Sequence, residues 1–223
     1  MKTGEGLEAR FTIVYDNEAM PGFRSGWGFS CLVGESVLFD TGPDSRALMY
    51  NMLKLEIDLQ EIDTIVLSHS HMDHTGGIGI VEELGDVRVF VPRSFFKSLR
   101  RSLSRFDNVE LVEVTDMMNV REEIASTGEI GRIGEQSLVA KTSKGLVLVT
   151  GCSHPGLDTI MNLAQQSGAI YGVIGGFHGF DRLEILRNVG MIVPCHCTRL
   201  KKRILTHYPG RSRHCAAGCV FDT

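Results

Sequence analysis

Short apolar runs of strand length recur along the chain and, in its later part, alternate with segments of helix length. The runs that predict β-strands lie at residues 11–15, 28–33, 36–39, 64–67, 87–91, 109–114, 138–140, 146–149, 170–174 and 191–193. The segments that predict helices lie near residues 44–55, 76–84, 93–105, 156–167, 181–189 and 199–207, several of them beginning with a capping Asp, Ser or Thr. This order predicts an α/β protein in which sheets and helices are layered.

The two halves of the chain resemble each other weakly. Residues 36–42 (SVLFDTG) and residues 146–151 (LVLVTG) each predict a strand that runs into a Gly turn and a following helix. Duplication and the chance recurrence of a common unit both explain this pattern. We expect a single domain over residues 1–223, with two pseudo-repeated halves that join in the polar segment near residues 116–130.

Composition and charge narrow the class of protein. With 223 residues, 43% of them hydrophobic and 22% charged, the chain is typical of a soluble globular protein and unlike a disordered or fibrous one. A net charge of −4 argues against nucleic acid as a partner. The first twenty residues lack the apolar core of a signal peptide, and residues 159–180, although uncharged, are too polar for a membrane span. We therefore expect a cytoplasmic protein without a membrane partner.

The strongest local signal is HSHMDH, which contains His69, His71, Asp73 and His74 and follows the predicted strand at residues 64–67. His69 and His71 project to the same side of an extended chain, whereas Asp73 and His74 lie on the turn into the next helix. A lone histidine is usually a core or surface residue. Four potential ligands bunched at a strand end would be costly to bury without a cation, and imidazole and carboxylate donors suit zinc, manganese or iron. The motif therefore predicts a metal site.

Three further histidines occupy comparable places. His154, His178 and His196 each follow a predicted strand, in the strings GCSHPG, GGFHGF and PCHCT. Strand ends of open α/β layers share one edge of the sheet, so residues distant in sequence converge there. We expect these histidines to approach the HSHMDH motif, whereas His207 and His214 have no predicted role.

The cysteines carry a weaker signal. A cytosolic location would keep all six reduced. Cys195, Cys197, Cys215 and Cys219 could in principle form a separate structural zinc site, but packing is favoured because Cys-X-Cys is an unusual zinc spacing. On a strand, Cys195 and Cys197 would face away from His196 and stay out of a cleft. Cys31 and Cys152 show no signal beyond packing.

Other catalytic motifs are absent or degenerate. Pro155 stands where a nucleophile elbow needs its last glycine, which argues against a serine hydrolase. The sequence contains neither a GxxxxGK[ST] phosphate loop nor a GxGxxG turn that opens a helix after a strand.

Taken together, LFDTG, IVLSHSHMDHTGG, GCSHPG, IGGFH and PCHCT resemble the metallo-β-lactamase fold superfamily, over nearly the whole chain from about residue 11. The resemblance is strongest to its branch of hydrolases similar to dihydropterin ribofuranosylaminobenzene phosphate synthase. It implies a four-layer αββα sandwich with a two-metal cleft along one edge.

The resemblance also implies roles for individual residues. His69, His71 and His154 would hold one metal ion, and Asp73, His74 and His196 the other. Zinc is the favoured ion, with manganese or iron as alternatives. Asp40 would support the metal loop without binding metal.

Two of these positions carry expected catalytic roles. Asp73 would also accept a proton from the attacking water or orient it. Many members of the superfamily carry a bridging Asp where this chain has GGFH. His178 would therefore replace that bridge, act as a weaker ligand or contact the substrate.

The expected function is a metal-dependent hydrolase whose two cations, about 3.5 to 4 Å apart, activate a shared water. Its substrate would be a small, anionic molecule, phosphorylated or pterin-like; a true synthase reaction ranks lower. A diiron redox protein and a metal-binding member without turnover are the alternatives. A basic cluster at residues 199–213 is either a solvated helix face or the mouth of the cleft. Phe23, Trp27 and Phe29 form either a flap over the cleft or an ordinary hairpin.

Overall fold

The computed structural model describes residues 9–223, which form two β-sheets packed face to face with helices on both outer sides. The first eight residues, part of the segment that lacks a signal-peptide pattern, lie outside the described residues. Each sheet combines antiparallel strands with a parallel unit. The layers follow the order helix, sheet, sheet, helix, which confirms the expected αββα sandwich.

The first sheet has the strand order β13-β1-β2-β3-β4-β5-β6. Its strands are β1 (Arg10–Tyr15), β2 (Ser30–Val33), β3 (Val37–Phe39), β4 (Thr64–Val66), β5 (Val87–Pro92), β6 (Val109–Val114) and β13 (Val220–Asp222). Strands β3 to β6 are parallel.

The second sheet has the order β12-β11-β10-β9-β8-β7. Its strands are β7 (Met118–Arg121), β8 (Ile124–Ser126), β9 (Leu138–Thr142), β10 (Gly145–Thr150), β11 (Ile170–Gly176) and β12 (Met191–Cys195). Strands β10 to β12 are parallel.

The helices are α1 (Ser45–Lys54), α2 (Met72–Thr75), α3 (Arg93–Leu103), α4 (Leu157–Ala164) and α5 (Lys201–His207). Four 3₁₀ turns span Leu59–Glu61, Ile78–Glu83, Gln165–Ser167 and Leu183–Asn188. Asp44 caps α1, because its Oδ1 accepts the backbone N–H of Ala47 at 2.8 Å. Within residues 9–223, every helix is too short or too polar to cross a bilayer.

Apolar side chains fill three layers. Between the sheets lie residues such as Phe39 of β3 and Val149 of β10. Outside the first sheet, Leu48 of α1 packs in a second cluster, and outside the second sheet Ile160 of α4 and Ile204 of α5 belong to a third. Near-continuous burial of the parallel strands other than the edge strand β6 explains why they stand out in the sequence as apolar runs.

Several regions differ from the sequence prediction. The predicted helices at residues 76–84 and 181–189 form mainly 3₁₀ turns, Ile78–Glu83 and Leu183–Asn188. Residues 116–130, predicted only as a polar join, contain the β7–β8 hairpin. This hairpin forms an edge of the second sheet with exposed residues such as Asn119 and Arg121, so it lacks an apolar run. The chain nevertheless passes from the first sheet to the second in this segment.

Candidate metal centre

The loops that follow the parallel strands of both sheets meet at one edge of the sandwich. Four residues in these loops have left-handed backbone geometry without being glycine: Asp40 after β3, Ser153 after β10, His178 after β11 and His196 after β12, with φ between 44° and 57°. Such conformations cost free energy and persist where the surroundings enforce them, as at functional sites. At Gly151 a Cβ would collide with the Ser68 hydroxyl, so the loops approach each other too closely for a larger residue.

These loops bring the six predicted ligands together in two neighbouring clusters. In each cluster the potential ligand atoms lie within 4.8 Å of one another. The first cluster consists of His69, His71 and His154, and the second of Asp73, His74 and His196.

The spacings within the clusters suit metal ions. Nε2 of His69 lies 2.9 Å from Nδ1 of His71. Oδ2 of Asp73 lies 3.2 Å from Nε2 of His196 and 3.7 Å from Nε2 of His74. Nitrogen and oxygen ligands of one tetrahedral zinc ion are about 3.3 Å apart.

Hydrogen bonds from the far side of each ring orient the histidines of the motif. Nδ1 of His74 donates to Oδ2 of the buried Asp40 at 2.6 Å. The Ser68 hydroxyl donates to the same Asp40 oxygen at 2.7 Å and therefore accepts from Nδ1 of His69, 2.8 Å away. Because Nδ1 carries the proton in both rings, Nε2 keeps its lone pair for a metal ion. Asp40 thus makes the supporting contacts expected of it.

Glu135, which no sequence pattern marks, holds the loop of His154 in place. Oε1 of Glu135 accepts the backbone N–H groups of Cys152 and Ser153, and Oε2 accepts both the backbone N–H and the Nδ1–H of His154. These hydrogen bonds outweigh the effect of burial and keep the pKa of Glu135 below its usual value. The carboxylate is therefore charged and fixes the ring of His154.

His196 is positioned by residues from the start of the chain, which the sequence pattern also did not reveal. Oδ1 of Asp16 accepts the backbone N–H of His196 at 2.7 Å, and Oδ1 of Asn17 accepts its Nδ1–H at 2.9 Å. Burial, followed by the neighbouring His74, lowers the pKa of His196 to about 3, so the ring is neutral. Its Nε2 is buried, lies 3.2 Å from Oδ2 of Asp73 and has no hydrogen-bond partner among residues 9–223. A buried, neutral imidazole with an unpaired lone pair fits a metal ligand.

The ring of His69 in the first cluster is neutral as well. Burial and the nearby histidines, His74 foremost, push the pKa of His69 far below its usual value. His74 of the second cluster differs from His69. Burial alone would lower the pKa of His74, but the Asp40 carboxylate outweighs burial and raises it. Neutral imidazole rings can lie as close as those of His69 and His71 when a metal cation, and not protons, occupies the space between their nitrogen atoms.

His178 lies beside the clusters and belongs to none of the ligand groups formed by the described residues. Its ring is 5.0 Å from the ring of His154, and its side chain is exposed. The sequence predicted a bridging, weakly ligating or substrate-contacting residue; this location suits contact with a substrate best.

The cysteines depart from the sequence predictions. Cys195 and Cys215 form a disulfide, with Cα atoms 5.3 Å apart, so they are linked and not merely packed. Cys197 does not face away from the site: its sulfur groups with Cys152 and His196, because β12 ends at Cys195 and the left-handed His196 turns the chain. Cys152, predicted to pack only, has its sulfur 3.2 Å from Nε2 of His74.

Two kinds of side chain surround the clusters: the aromatic ring of Trp27 on one wall and the basic residues Arg199, Lys202 and Arg203 on another. Trp27 is 63% exposed, and its ring lies 4.8 Å from that of His196, whereas Phe29 is buried between the sheets. Beside His196 an open cavity of about 460 Å³ is lined by Arg199, Lys202 and Arg203 among others. The basic cluster predicted from the sequence therefore reaches the edge of the site.

Comparison with known proteins identifies the family. The sequence model of the metallo-beta-lactamase superfamily matches residues 30–158, more than half of the chain. The chain belongs to the metallo-beta-lactamase superfamily. The matched segment includes the HSHMDH motif and His154. Membership in this superfamily of metal-dependent hydrolases supports an enzymatic function.

Individual members extend the likeness beyond the matched segment. The chain is 29% identical over 227 aligned positions to the 7,8-dihydropterin-6-methyl-4-(beta-D-ribofuranosyl)-aminobenzene-5'-phosphate synthase of Methanocaldococcus jannaschii, covering 76% of this chain and 77% of that protein. The crystal structure of Tm1679, a metal-dependent hydrolase of the beta-lactamase superfamily, is 27% identical with a TM-score of 0.79 and covers 96% of this chain and 99% of that one. A diphosphatase from the PhnP family, 15% identical with a TM-score of 0.68, covers 97% and 98% and shows the same fold.

Proposed function

We propose that this member of the metallo-beta-lactamase superfamily is a hydrolase with a dinuclear site, most consistent with zinc, that acts on a small anionic substrate. The observation that carries the proposal is the pair of adjacent clusters, one of three histidines and one of Asp73, His74 and His196. The unpaired, buried Nε2 of His196 supports it, because a buried acceptor without a partner is costly unless a ligand satisfies it.

The residues of the site have separate roles in catalysis. Two divalent ions, when bound, supply Lewis acidity and lower the pKa of a water molecule. Asp40 and Glu135 hold the ligand rings so that their lone pairs point inward. Asp73 faces both His74 and His196 through Oδ2, which leaves Oδ1 to accept a proton from the attacking water.

The walls favour an anionic substrate that carries a planar group. Arg199, Lys202 and Arg203 line the cavity beside His196 and would attract a phosphate. The exposed ring of Trp27 stands next to His196 and offers a surface for stacking. Exposed His178, close to His154, lies where it could contact the substrate. A phosphorylated or pterin-like molecule would use both walls.

The test is a metal analysis combined with a substrate screen. Elemental analysis of the purified chain should find about two transition-metal ions per chain. Phosphodiesters, phosphomonoesters, lactones and thioesters are then screened with the wild type, His71→Ala and Asp73→Ala, and with His207→Ala as a matched control on the exposed surface. Both site variants should lose metal-dependent turnover while the control keeps it. Full activity of the metal-free wild type would overturn the proposal.

Two outcomes of the same preparation would favour the alternatives. Visible absorption of an iron centre that responds to oxygen, in anaerobically purified protein, would indicate a diiron redox protein. Two bound ions without turnover of any compound in the screen would indicate a metal-binding member that lacks catalysis.

A second candidate function follows from the relative in Methanocaldococcus jannaschii, which is named as a synthase. We propose testing it by incubating the metal-loaded chain with ribofuranosylaminobenzene 5'-phosphate and a dihydropterin whose 6-methyl carbon carries a diphosphate leaving group. Mass spectrometry then looks for the condensed product, in which the bond to the diphosphate is broken, diphosphate is released and the aminobenzene loses a proton. A condensed product would favour the synthase; hydrolysis of either compound alone would favour the hydrolase.

A further inference from the structure

The sulfur of Cys152 lies inside the metal centre although no sequence pattern marks it as a ligand. It groups with His69 and His74, one residue from each cluster, and in a second group with His196 and Cys197. The side chain is only 4% exposed, and Cys152 is not part of a disulfide. A free thiol is thus enclosed by potential metal ligands.

The distance to His74 is that of two ligands on one ion. Sγ of Cys152 lies 3.2 Å from Nε2 of His74. For a tetrahedral zinc ion bound by one nitrogen and one sulfur, these two atoms are about 3.5 Å apart. Nε2 of His74 bears no proton when Nδ1 donates to Asp40, so it can accept a metal ion or a weak S–H bond, and experiment must distinguish these two.

The backbone around Cys152 is fixed before any ion binds. Its N–H donates to Oε1 of Glu135 at 2.9 Å. The next residue, Ser153, donates its hydroxyl to the carbonyl of Gly176 at 2.7 Å and has a left-handed backbone. Since the loop is held on both sides, the direction of the sulfur is set by the fold, as an effective ligand requires.

We propose that Cys152 is a thiolate ligand of the metal ion held by Asp73, His74 and His196. This inference rests on the proposed dinuclear site. On binding, the S–H bond of Cys152 breaks, a sulfur–metal bond forms, and the proton leaves to solvent. The second cluster then has four protein donors, as in closed zinc sites, whereas the first cluster of three histidines keeps one position open for water. The two ions therefore have unequal roles, and the sulfur favours zinc over manganese at the second.

The test uses cobalt(II) as a spectroscopic substitute for zinc. The full-length chain, loaded with two cobalt ions under anaerobic conditions, should show a near-ultraviolet sulfur-to-cobalt charge-transfer band. Cys152→Ser should lose this band but still bind cobalt at the first cluster, and Cys197→Ser, the matched control from the neighbouring thiol, should keep it. A band that survives in Cys152→Ser, or that disappears only in Cys197→Ser, overturns the proposal.

A second measurement covers the case in which Cys152→Ser fails to fold. X-ray absorption of the two-zinc form of Cys197→Ser should show a sulfur neighbour at about 2.3 Å. Scattering from nitrogen and oxygen alone would overturn the assignment of Cys152 and leave the dinuclear site intact. Failure of the wild type to bind two ions would instead count against the proposed function itself.

Discussion

Glu135 binds His154 twice, through the backbone N–H at 2.9 Å and through Nδ1–H at 2.8 Å, both to the same carboxylate oxygen. The other oxygen accepts the N–H groups of Cys152 and Ser153. One buried carboxylate therefore fixes the backbone of a whole loop and orients the ring of His154 at its end. The contact resembles that of the carboxylates that orient metal-bound histidines in known zinc sites.

Glu135→Gln should weaken metal binding at the first cluster. The amide NH₂ cannot accept the hydrogen bonds that one carboxylate oxygen now receives, so the loop and the ring of His154 lose their fixed orientation. We expect the zinc affinity to fall by about 10- to 100-fold and the metal-free protein to lose about 1–3 kcal/mol of unfolding free energy. Zinc titration against a competing chelator and urea unfolding measure the two effects. Exposed Glu122→Gln is the control, and equal affinities of the two variants would contradict the prediction.

Asp40→Asn should weaken metal binding at the second cluster. Asp40 accepts from Nδ1 of His74 at 2.6 Å and also holds the backbone and hydroxyl of Ser68 at 2.7 Å. An asparagine that keeps the contact to one of these groups presents an NH₂ to another. It also removes the negative charge that makes the Nε2 lone pair of His74 more basic and so a stronger metal ligand. We expect a loss of one ion per chain at metal concentrations that saturate the wild type, measured by elemental analysis after dialysis. Asp107→Asn, exposed and distant, should retain both ions.

The convergence of the six candidate ligands could be predicted from the sequence because these residues are closely spaced and follow predicted strands. HSHMDH holds four of the six within six residues, and His154 and His196 follow apolar runs that become β10 and β12. The apolar runs also predicted the parallel strands, most of which, such as β10 and β11, are buried on both faces. Short, half-exposed strands such as β7 and β13 had no comparable signal.

Among the supporting residues, Asp40 was expected from the sequence motif, but Glu135 and Asp16 could not be predicted, for a physical reason. Glu135 lies 19 positions before His154, and Asp16 lies 180 positions before His196, in irregular segments without periodicity. Their importance depends on which loops the fold brings together. For Cys152 the sequence predicts only packing, because it shows no pattern beyond that of a buried thiol; the three-dimensional arrangement places its sulfur beside His74.

The disulfide between Cys195 and Cys215 should stabilise the end of β12, next to His196. It spans 20 positions, and closing a loop of this length in the unfolded chain contributes about 3 kcal/mol. Urea unfolding with and without a reductant, on metal-free protein, should therefore differ by about this amount. Mass spectrometry after thiol alkylation confirms the redox state in each sample. Unfolding curves that coincide although the two samples differ in alkylation would refute this stabilising role.

Trp27 should report metal binding directly. It is the single tryptophan of the chain, and its ring lies 4.8 Å from that of His196. Cobalt(II) bound at the second cluster should strongly quench its fluorescence, because a paramagnetic ion with low-lying d states accepts excitation energy at such short range, whereas closed-shell zinc should quench far less. Titration of the metal-free chain with each ion measures this difference. In His196→Ala the quenching should require much higher cobalt concentrations, and in His207→Ala it should match the wild type. Quenching at the same cobalt concentrations in both variants would show that the ion near Trp27 does not depend on His196, and it would contradict the assignment of His196 to the second cluster.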